Sequence, residues 1–162
     1  MSAKLQNDPA AAGAEPVLEI VRVFDAPRSL VYAAWTDPQH ATKWAPHDMK
    51  IIHAEADLRP GGKIRVGMRR ENGDEHWESG VYREIVENER LVFTHAWEDA
   101  QGRRGPETVV TVEFEDAGPG KTRMRLHQTG FASVASRDGH RLGWNESFDD
   151  LAAYFATLKL AH

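Results

Sequence analysis

Cysteine is absent from the 162-residue sequence. Its absence excludes a disulfide framework and catalysis by a thiol, and it fits a reducing compartment, so we expect a cytoplasmic location. No segment approaches the roughly 18 to 20 apolar residues that a membrane-spanning helix requires. The N-terminus also lacks the basic start and apolar block of a secretory signal. We therefore predict neither a membrane span nor a signal peptide.

Clusters of basic residues and the signature motifs of catalysis are missing as well. The 20 Lys and Arg residues are scattered and the net charge is −5, so we expect no nucleic-acid partner. Neither HExxH nor paired-histidine spacing occurs, and the P-loop, GxSxG and dinucleotide glycine patterns are absent. The sequence predicts no metal site and no cofactor, and no nucleophile can be paired with a base.

Composition divides the chain into a short arm and one domain. Residues 1–16 are rich in Ala, Pro and small polar residues and show no periodicity, so we predict a disordered N-terminal arm. The chain is 41% hydrophobic and 28% charged, which fits a single globular domain with a core of its own. We assign residues 17–162 to that domain.

The patterns along this domain define an order of elements. Strand composition over residues 17–24 is followed by two short helical patterns, one opening at Pro27 and one at Pro38, with Asp37 as N-cap of the second. Six alternating segments follow, separated by turn signals such as ENGD and AGPG. A long amphipathic helix runs from the GHRLGW segment to about Leu160.

This order predicts an α+β fold. A curved antiparallel sheet of about seven strands is expected to wrap around the long C-terminal helix, which alone is long enough to cover the apolar face of the sheet. The two short helices, inserted between strands 1 and 2, are expected to close one end. Where side chains do not fill the gap between sheet and helix, a pocket results.

Four segments, in this order, resemble the START-like (SRPBCC) superfamily with its helix-grip fold, and within it the group similar to the activator of heat-shock protein 90 ATPase. They are FDAPRSLVYAAWTDPQHATKWAPH, DLRPGGKIRV, GVYREIVENERLVFTH and GWNESFDDLAAYF. The resemblance implies the helix-grip fold. It also implies a range of functions, because the superfamily includes lipid and hormone binders, aromatic polyketide cyclases and ring-hydroxylating oxygenase domains.

One position departs from the group. Its members often carry a tryptophan where this chain has His95, and the aromatic side chain here is at Trp97. If this strand lines the pocket, His95 places a titratable, hydrogen-bonding group in an otherwise apolar wall.

Alternation along the strands and helical spacing identify the candidate ligand-binding residues. His140 lies one helical turn before Trp144 and is expected near the pocket mouth. The alternative is that the apolar members form only a core, and that both histidines are satisfied by local hydrogen bonds. The candidates are Trp35, Trp44, Val66, Met68, Phe93, His95, Val110, Met124, Leu126, His140, Trp144 and Phe148.

Three functions fit these observations. The first is binding of a small hydrophobic or amphipathic molecule in the cavity beneath the C-terminal helix, with no catalysis. The second is an enzyme of the cyclase or hydrolase kind, with His95 as general acid or base. The third, implied by the name of the resembled group, is a chaperone-associated interaction module in a stress response. An exposed sheet edge would also permit two copies to pair as a homodimer.

A glycine inside the long helix needs an explanation. Gly143 directly precedes Trp144, and a glycine in a helix costs about 0.5–1 kcal/mol relative to alanine. We expect this glycine to let the helix approach either the strands or a ligand closely.

Overall fold

The structure, a computed structural model, describes residues 15–161. The predicted disordered arm, residues 1–16, lies outside this range except for its last two residues. The elements in chain order are β1 (Leu18–Phe24), α1 (Arg28–Thr36), α2 (Pro38–Ala41), β2 (Met49–Ala56), β3 (Lys63–Arg70), β4 (Glu75–Val86), β5 (Arg90–Glu98), β6 (Thr108–Asp116), β7 (Thr122–Thr129) and α3 (Val134–Leu160).

The seven strands form one curled antiparallel sheet in the order β1-β7-β6-β5-β4-β3-β2. The first two strands of the chain therefore lie at opposite edges. The chain has to cross the full width of the sheet between them, and α1 and α2 lie on that crossing. The predicted helix-grip fold is confirmed, including the two short helices between strands 1 and 2.

The start of α2 agrees with the sequence signals, whereas the start of α3 lies earlier in the chain. The Asp37 side chain accepts a hydrogen bond from the backbone N–H of Gln39 at 2.9 Å, which confirms the predicted N-cap of α2. The long helix α3 begins earlier than the GHRLGW segment. Its N-cap is Ser133, whose hydroxyl accepts from the backbone N–H of Ser136 at 3.0 Å. Gly139 and Gly143 are thus interior to the helix.

The alternation predicted for β2 is corrected by a β-bulge. Alternation along the segment MKIIHAEADLR predicts that Ile52 lies on the apolar face with Ala54, Ala56 and Leu58. The structure shifts register between Ile51 and His53, so that Ile51 pairs with Met68. Because a bulge inserts one extra residue, the side chains before it change face. Ile52 is accordingly 37% exposed.

The helix α3 packs over only one half of the concave face, formed by β1, β7 and β6. The Phe24 ring of β1 makes edge-to-face contacts with Phe148 and Phe155 of α3, at centroid distances of 6.3 and 5.6 Å. The side chains of this half are fully or almost fully buried: Leu18, Ile20, Phe24, Val110, Val112, Phe114, Met124 and Leu126. This half of the sheet is a solid core.

The convex face carries a row of charges instead. Glu19 on β1 contacts Arg125 and His127 on β7, and Arg125 continues the row to Glu113 on β6. Arg90 on β5 contacts Glu113 at 2.6 Å. Pairs this exposed contribute roughly 0–1 kcal/mol each. Their main consequence is that this face favours water, so the apolar concave face is the one available for a buried site.

Candidate functional site

A cavity of about 720 Å³ lies beside the solid core. Its floor is the concave face of β2 to β5, which α3 does not cover. One wall is the N-terminal half of α3, and the segment from α1 to the start of β2 closes the other side. Sites for small organic molecules commonly measure roughly 300–1,000 Å³, so this space can hold one.

The structure brings most of the predicted site residues together around this cavity. Eight of the twelve line it: Trp35, Trp44, Val66, Met68, Phe93, His95, His140 and Trp144. The other four belong to the solid core under α3: Val110, Met124, Leu126 and Phe148. Alternation correctly predicts that Val110, Met124 and Leu126 point to the concave face. It does not show which half of that face α3 covers.

Tryptophan rings form the apolar end of the cavity. The Trp35 ring lies 5.1 Å from that of Trp44, 5.5 Å from that of Trp144 and 6.2 Å from that of Phe93, measured between centroids. Such tilted and edge-to-face contacts stabilise an aromatic cluster beyond its buried area. The cluster joins α1, the segment after α2, β5 and α3 into one wall.

The indole N–H groups of this cluster are all satisfied inside the protein. Trp35 donates to the Met124 sulfur at 3.3 Å, and Trp44 donates to the Ala34 carbonyl at 3.0 Å. Trp144 donates to the Gln128 side-chain carbonyl at 2.8 Å. The tryptophans therefore offer a ligand ring faces and edges rather than hydrogen-bond donors.

Gln128 links the Trp144 side of the cavity to its polar side. This side chain is fully buried, and its amide donates to the Thr108 hydroxyl at 2.9 Å. Thr108 in turn donates to the backbone carbonyl of His95 at 3.1 Å. The chain of bonds gives each of these polar side chains a partner and holds Trp144 in one orientation relative to β5.

His95 and Glu78 form a largely buried polar contact in the cavity wall. The imidazole Nε2 of His95 lies 2.9 Å from a carboxylate oxygen of Glu78, and the two side chains are 6% and 21% exposed. Since a carboxylate only accepts, Nε2 is the protonated nitrogen. Glu78 pairs with Trp97 across β4 and β5, which makes it the diagonal neighbour of His95. Sequence reasoning missed Glu78, because only the strand register brings it to His95.

His140 is held as a neutral tautomer by two partners. Its Nδ1 donates to the Ser136 carbonyl at 2.8 Å, and its Nε2 accepts from the indole N–H of Trp97 at 3.0 Å. A carbonyl cannot donate and an indole cannot accept, so the arrangement leaves no place for a second proton. Burial lowers the pKa of His140, and His95 nearby lowers it further, whereas the bond to Ser136 works in the opposite direction.

Arg70 and His76 complete the polar side. The Nε of Arg70 donates to the Nε2 of His76 at 3.1 Å, and both residues line the cavity. Sequence reasoning missed both. Arg70 continues the alternation of Ile64, Val66 and Met68 by one step, so a signal for it was present. His76 pairs with Met68 and required the register of β3 with β4.

The glycines of α3 also lie at the cavity, and one expectation about them is corrected. A side-chain carbon at Gly143 or Gly139 would meet no atom within 4 Å, so no strand approaches the helix closely there. Both residues line the cavity wall. The space in front of them belongs to the cavity, so approach of a ligand is the surviving explanation.

Neither a cluster of metal ligands nor a membrane-spanning helix occurs in the part of the chain that the structure describes. Within residues 15–161, no three His, Asp or Glu side chains converge in a way that could hold a metal ion. No helix in the same range has the length and apolar character to span a membrane.

The lowered pKa of His140 predicts a loss of stability on mild acidification. As the pH falls below about 6.5, the unfolded chain binds a proton that the folded protein accepts only at lower pH. The free energy of unfolding is therefore highest above that pH and decreases below it. Urea titrations between about pH 7.5 and about pH 5 are expected to show a smaller decrease in His140→Gln than in the parent. The exposed His53→Gln variant is the control, and equal pH slopes in the parent and His140→Gln would contradict this assignment.

Solved structures share the fold just described. The AHSA1 protein from Silicibacter pomeroyi superposes with a TM-score of 0.79 at 25% identity, covering 91% of this chain and 100% of that one. A protein from Chromobacterium violaceum gives 0.74 at 27% identity, covering 86% and 96%. One from Rhizobium leguminosarum gives 0.73 at 28% identity, covering 89% and 96%.

The sequence itself places the chain in a family. No curated protein matches it. The family described as Activator of Hsp90 ATPase homolog 1-like protein matches residues 25–156, from the residue after β1 to the C-terminal part of α3. This match spans most of the chain and includes every element that lines the cavity. The chain therefore belongs to the Activator of Hsp90 ATPase homolog 1-like (AHSA1) family.

Proposed function

We propose that this protein binds a small amphipathic molecule in the cavity between β2 to β5 and the N-terminal half of α3. The observation that carries the proposal is the division of the cavity wall into two ends. One end presents aromatic rings whose polar atoms are already satisfied, and the other presents Arg70, His76 and the pair His95–Glu78. A ligand with an apolar body and one polar group matches this division.

The apolar end supplies the affinity in this proposal. Removing apolar surface from water is worth roughly 25 cal/mol per Å², and ring contacts add to that. The cluster of Trp35, Trp44 and Trp144 is held by hydrogen bonds to backbone or buried side chains. Because its side chains are held in place before binding, a ligand does not have to order them. The polar end then determines how the ligand is oriented.

The family name supports a different partner, a chaperone ATPase, only by association. The geometry of the cavity favours a small molecule, so the chaperone partner remains a prediction. The cytoplasmic location, a stress-response role and the homodimer also remain predictions.

The neutral fluorescent probe N-phenyl-1-naphthylamine tests the cavity. It is expected to bind saturably to the parent protein, and Gly143→Leu is expected to weaken it by about tenfold or more, because the new side chain occupies the space in front of α3. Gly143→Ala is expected to raise the free energy of unfolding by about 0.5–1 kcal/mol, since nothing obstructs the added carbon.

Ala153→Leu is the matched control, because it adds a similar side chain to an exposed position of the same helix outside the cavity. It is expected to leave probe binding unchanged. No saturable binding to the parent, or equal weakening by both leucine variants, would refute a binding site in this cavity.

The contact between His95 and Glu78 favours a second candidate, an enzyme of the cyclase or hydrolase kind. Glu78 holds the Nε2–H of His95, as the carboxylate does in carboxylate–histidine pairs that act as general bases. The other nitrogen, Nδ1, is then the one that exchanges a proton with a substrate. Tyr82, also in the cavity wall, is unsuited to this role because burial raises its pKa to about 12.

This second candidate predicts that both members of the pair are needed for turnover. For any cavity ligand that the protein converts, His95→Gln and Glu78→Gln are each expected to lower kcat by about 10²–10⁴-fold, the range typical of a general base. His53→Gln, at an exposed histidine paired with Glu55, is the control. Unchanged kcat in His95→Gln would remove the enzyme proposal while leaving ligand binding intact.

A further inference from the structure

We propose that the polar group of the ligand is an anion, specifically a carboxylate, and that Arg70 binds it. The ligand class is therefore an organic acid with an apolar, preferably aromatic, body. This inference rests on the proposed binding function of the cavity and adds the charge of its ligand.

The guanidinium of Arg70 has no carboxylate partner in the part of the chain that the structure describes. Among residues 15–161, no carboxylate oxygen lies within 4.0 Å of its guanidinium, and its one side-chain partner is the neutral acceptor nitrogen of His76. The two other arginines of β3 point to the opposite face and behave differently. Arg65 pairs with Glu98 and Arg69 pairs with Glu75, each at 3.0 Å. The arginine that faces the cavity is thus the one left without a carboxylate.

The bond to His76 leaves the binding edge of Arg70 free. Only Nε is used, and neither terminal nitrogen of the guanidinium has a partner within the described part of the chain. Those two nitrogens form the planar edge that binds a carboxylate through two parallel hydrogen bonds. Because Nε2 of His76 accepts from Arg70, its remaining nitrogen, Nδ1, carries a proton and is a further donor. Arg70 and His76 together offer donors and no acceptor.

Three acidic residues also line the cavity, and among the described residues none of them pairs with Arg70. Glu78 is bonded to His95, and Glu146 accepts from the backbone N–H of His47 at 3.1 Å. Asp48 lies at the exposed mouth. Glu78 and Glu146 keep their negative charge, but these bonded oxygens are held by donors other than Arg70, so the free edge of the guanidinium stays available to a ligand.

The start of α3 strengthens the preference for an anion. Its first turn contributes Ala135 and Ser136 to the cavity wall, and the N-terminus of a helix carries a positive partial charge. His140, one turn later, contacts Trp97, whose ring lies 6.5 Å from that of His76. The positive end of the helix and the arginine therefore belong to the same polar side of the cavity.

Two ligands of nearly equal shape test this inference: 2-naphthoate, which carries a carboxylate, and 2-naphthamide, which is neutral. Binding is measured through the fluorescence of the cavity tryptophans and by calorimetry. In the parent protein, 2-naphthoate is expected to bind at least about tenfold more tightly than 2-naphthamide. Arg70→Gln is expected to reduce that ratio to about one, because 2-naphthoate loses its partner whereas 2-naphthamide loses much less.

Arg69→Gln is the matched control, since it removes the adjacent arginine from the opposite face of the same strand, and it is expected to preserve the ratio. Arg70→Lys, which keeps the charge but loses the planar edge, is expected to retain part of it. The ratio in the parent protein needs no variant, so the test does not depend on how Arg70→Gln folds. Equal or weaker binding of 2-naphthoate in the parent overturns the inference, whereas failure of both ligands and of N-phenyl-1-naphthylamine to bind overturns the proposed function itself.

Discussion

The mismatch in width between one helix and a sheet of seven strands is the constraint on which the rest of this structure depends. Strands lie about 4.8 Å apart, so seven of them extend over roughly 30 Å, whereas a helix with its side chains measures about 10–12 Å. The contacts of Phe24 with Phe148 and Phe155 place α3 over the β1 side. The β2 to β5 side is left open, and that side is the floor of the cavity.

The open half of the sheet is apolar enough to require cover, and the chain covers it only in part. The segment from α1 to the start of β2 crosses between the sheet edges and adds Trp35 and Trp44 to the wall. Trp144, fixed by the buried Gln128, completes the aromatic end. Polar side chains gather at the other end, on β3, β4 and β5, where α3 begins. The two ends of the cavity thus follow from where α3 begins and from how the chain returns across the sheet.

Much of this could be predicted from the sequence, for physical reasons that also explain the failures. Alternation and turn residues identify the seven strands, because both are local properties of the chain. The register between strands is not local, so the sequence does not predict that Glu78 and His76 lie at the site. His95 is predicted there because its position follows from alternation along one strand. The bulge between Ile51 and His53 has no clear sequence signal. Which strands α3 covers is not a local property either. For this reason alternation predicts Val110, Met124 and Leu126 at the site, although they lie in the core beneath α3.

Gly143 illustrates the same distinction between local and spatial information. The sequence shows that a glycine here destabilises the helix, but it does not show what surrounds the glycine. A close contact between helix and strand is one expectation from the sequence, and the structure instead has open cavity space in front of Gly143. The glycine therefore lowers the stability of α3 but leaves space in the cavity that a side chain would fill. A larger residue there would strengthen the helix and reduce the space that the proposed ligand occupies.

Intermolecular nuclear Overhauser effects between bound N-phenyl-1-naphthylamine and the methyl groups of the protein test the division of the sheet most directly. Contacts are predicted to Val66 and Met68, which line the cavity, and none to Val110, Met124 and Leu126, which lie under α3. Contacts to the core set, or only to exposed methyl groups such as those of Val21 and Val23 on the convex face, would contradict a binding site in the uncovered half of the sheet.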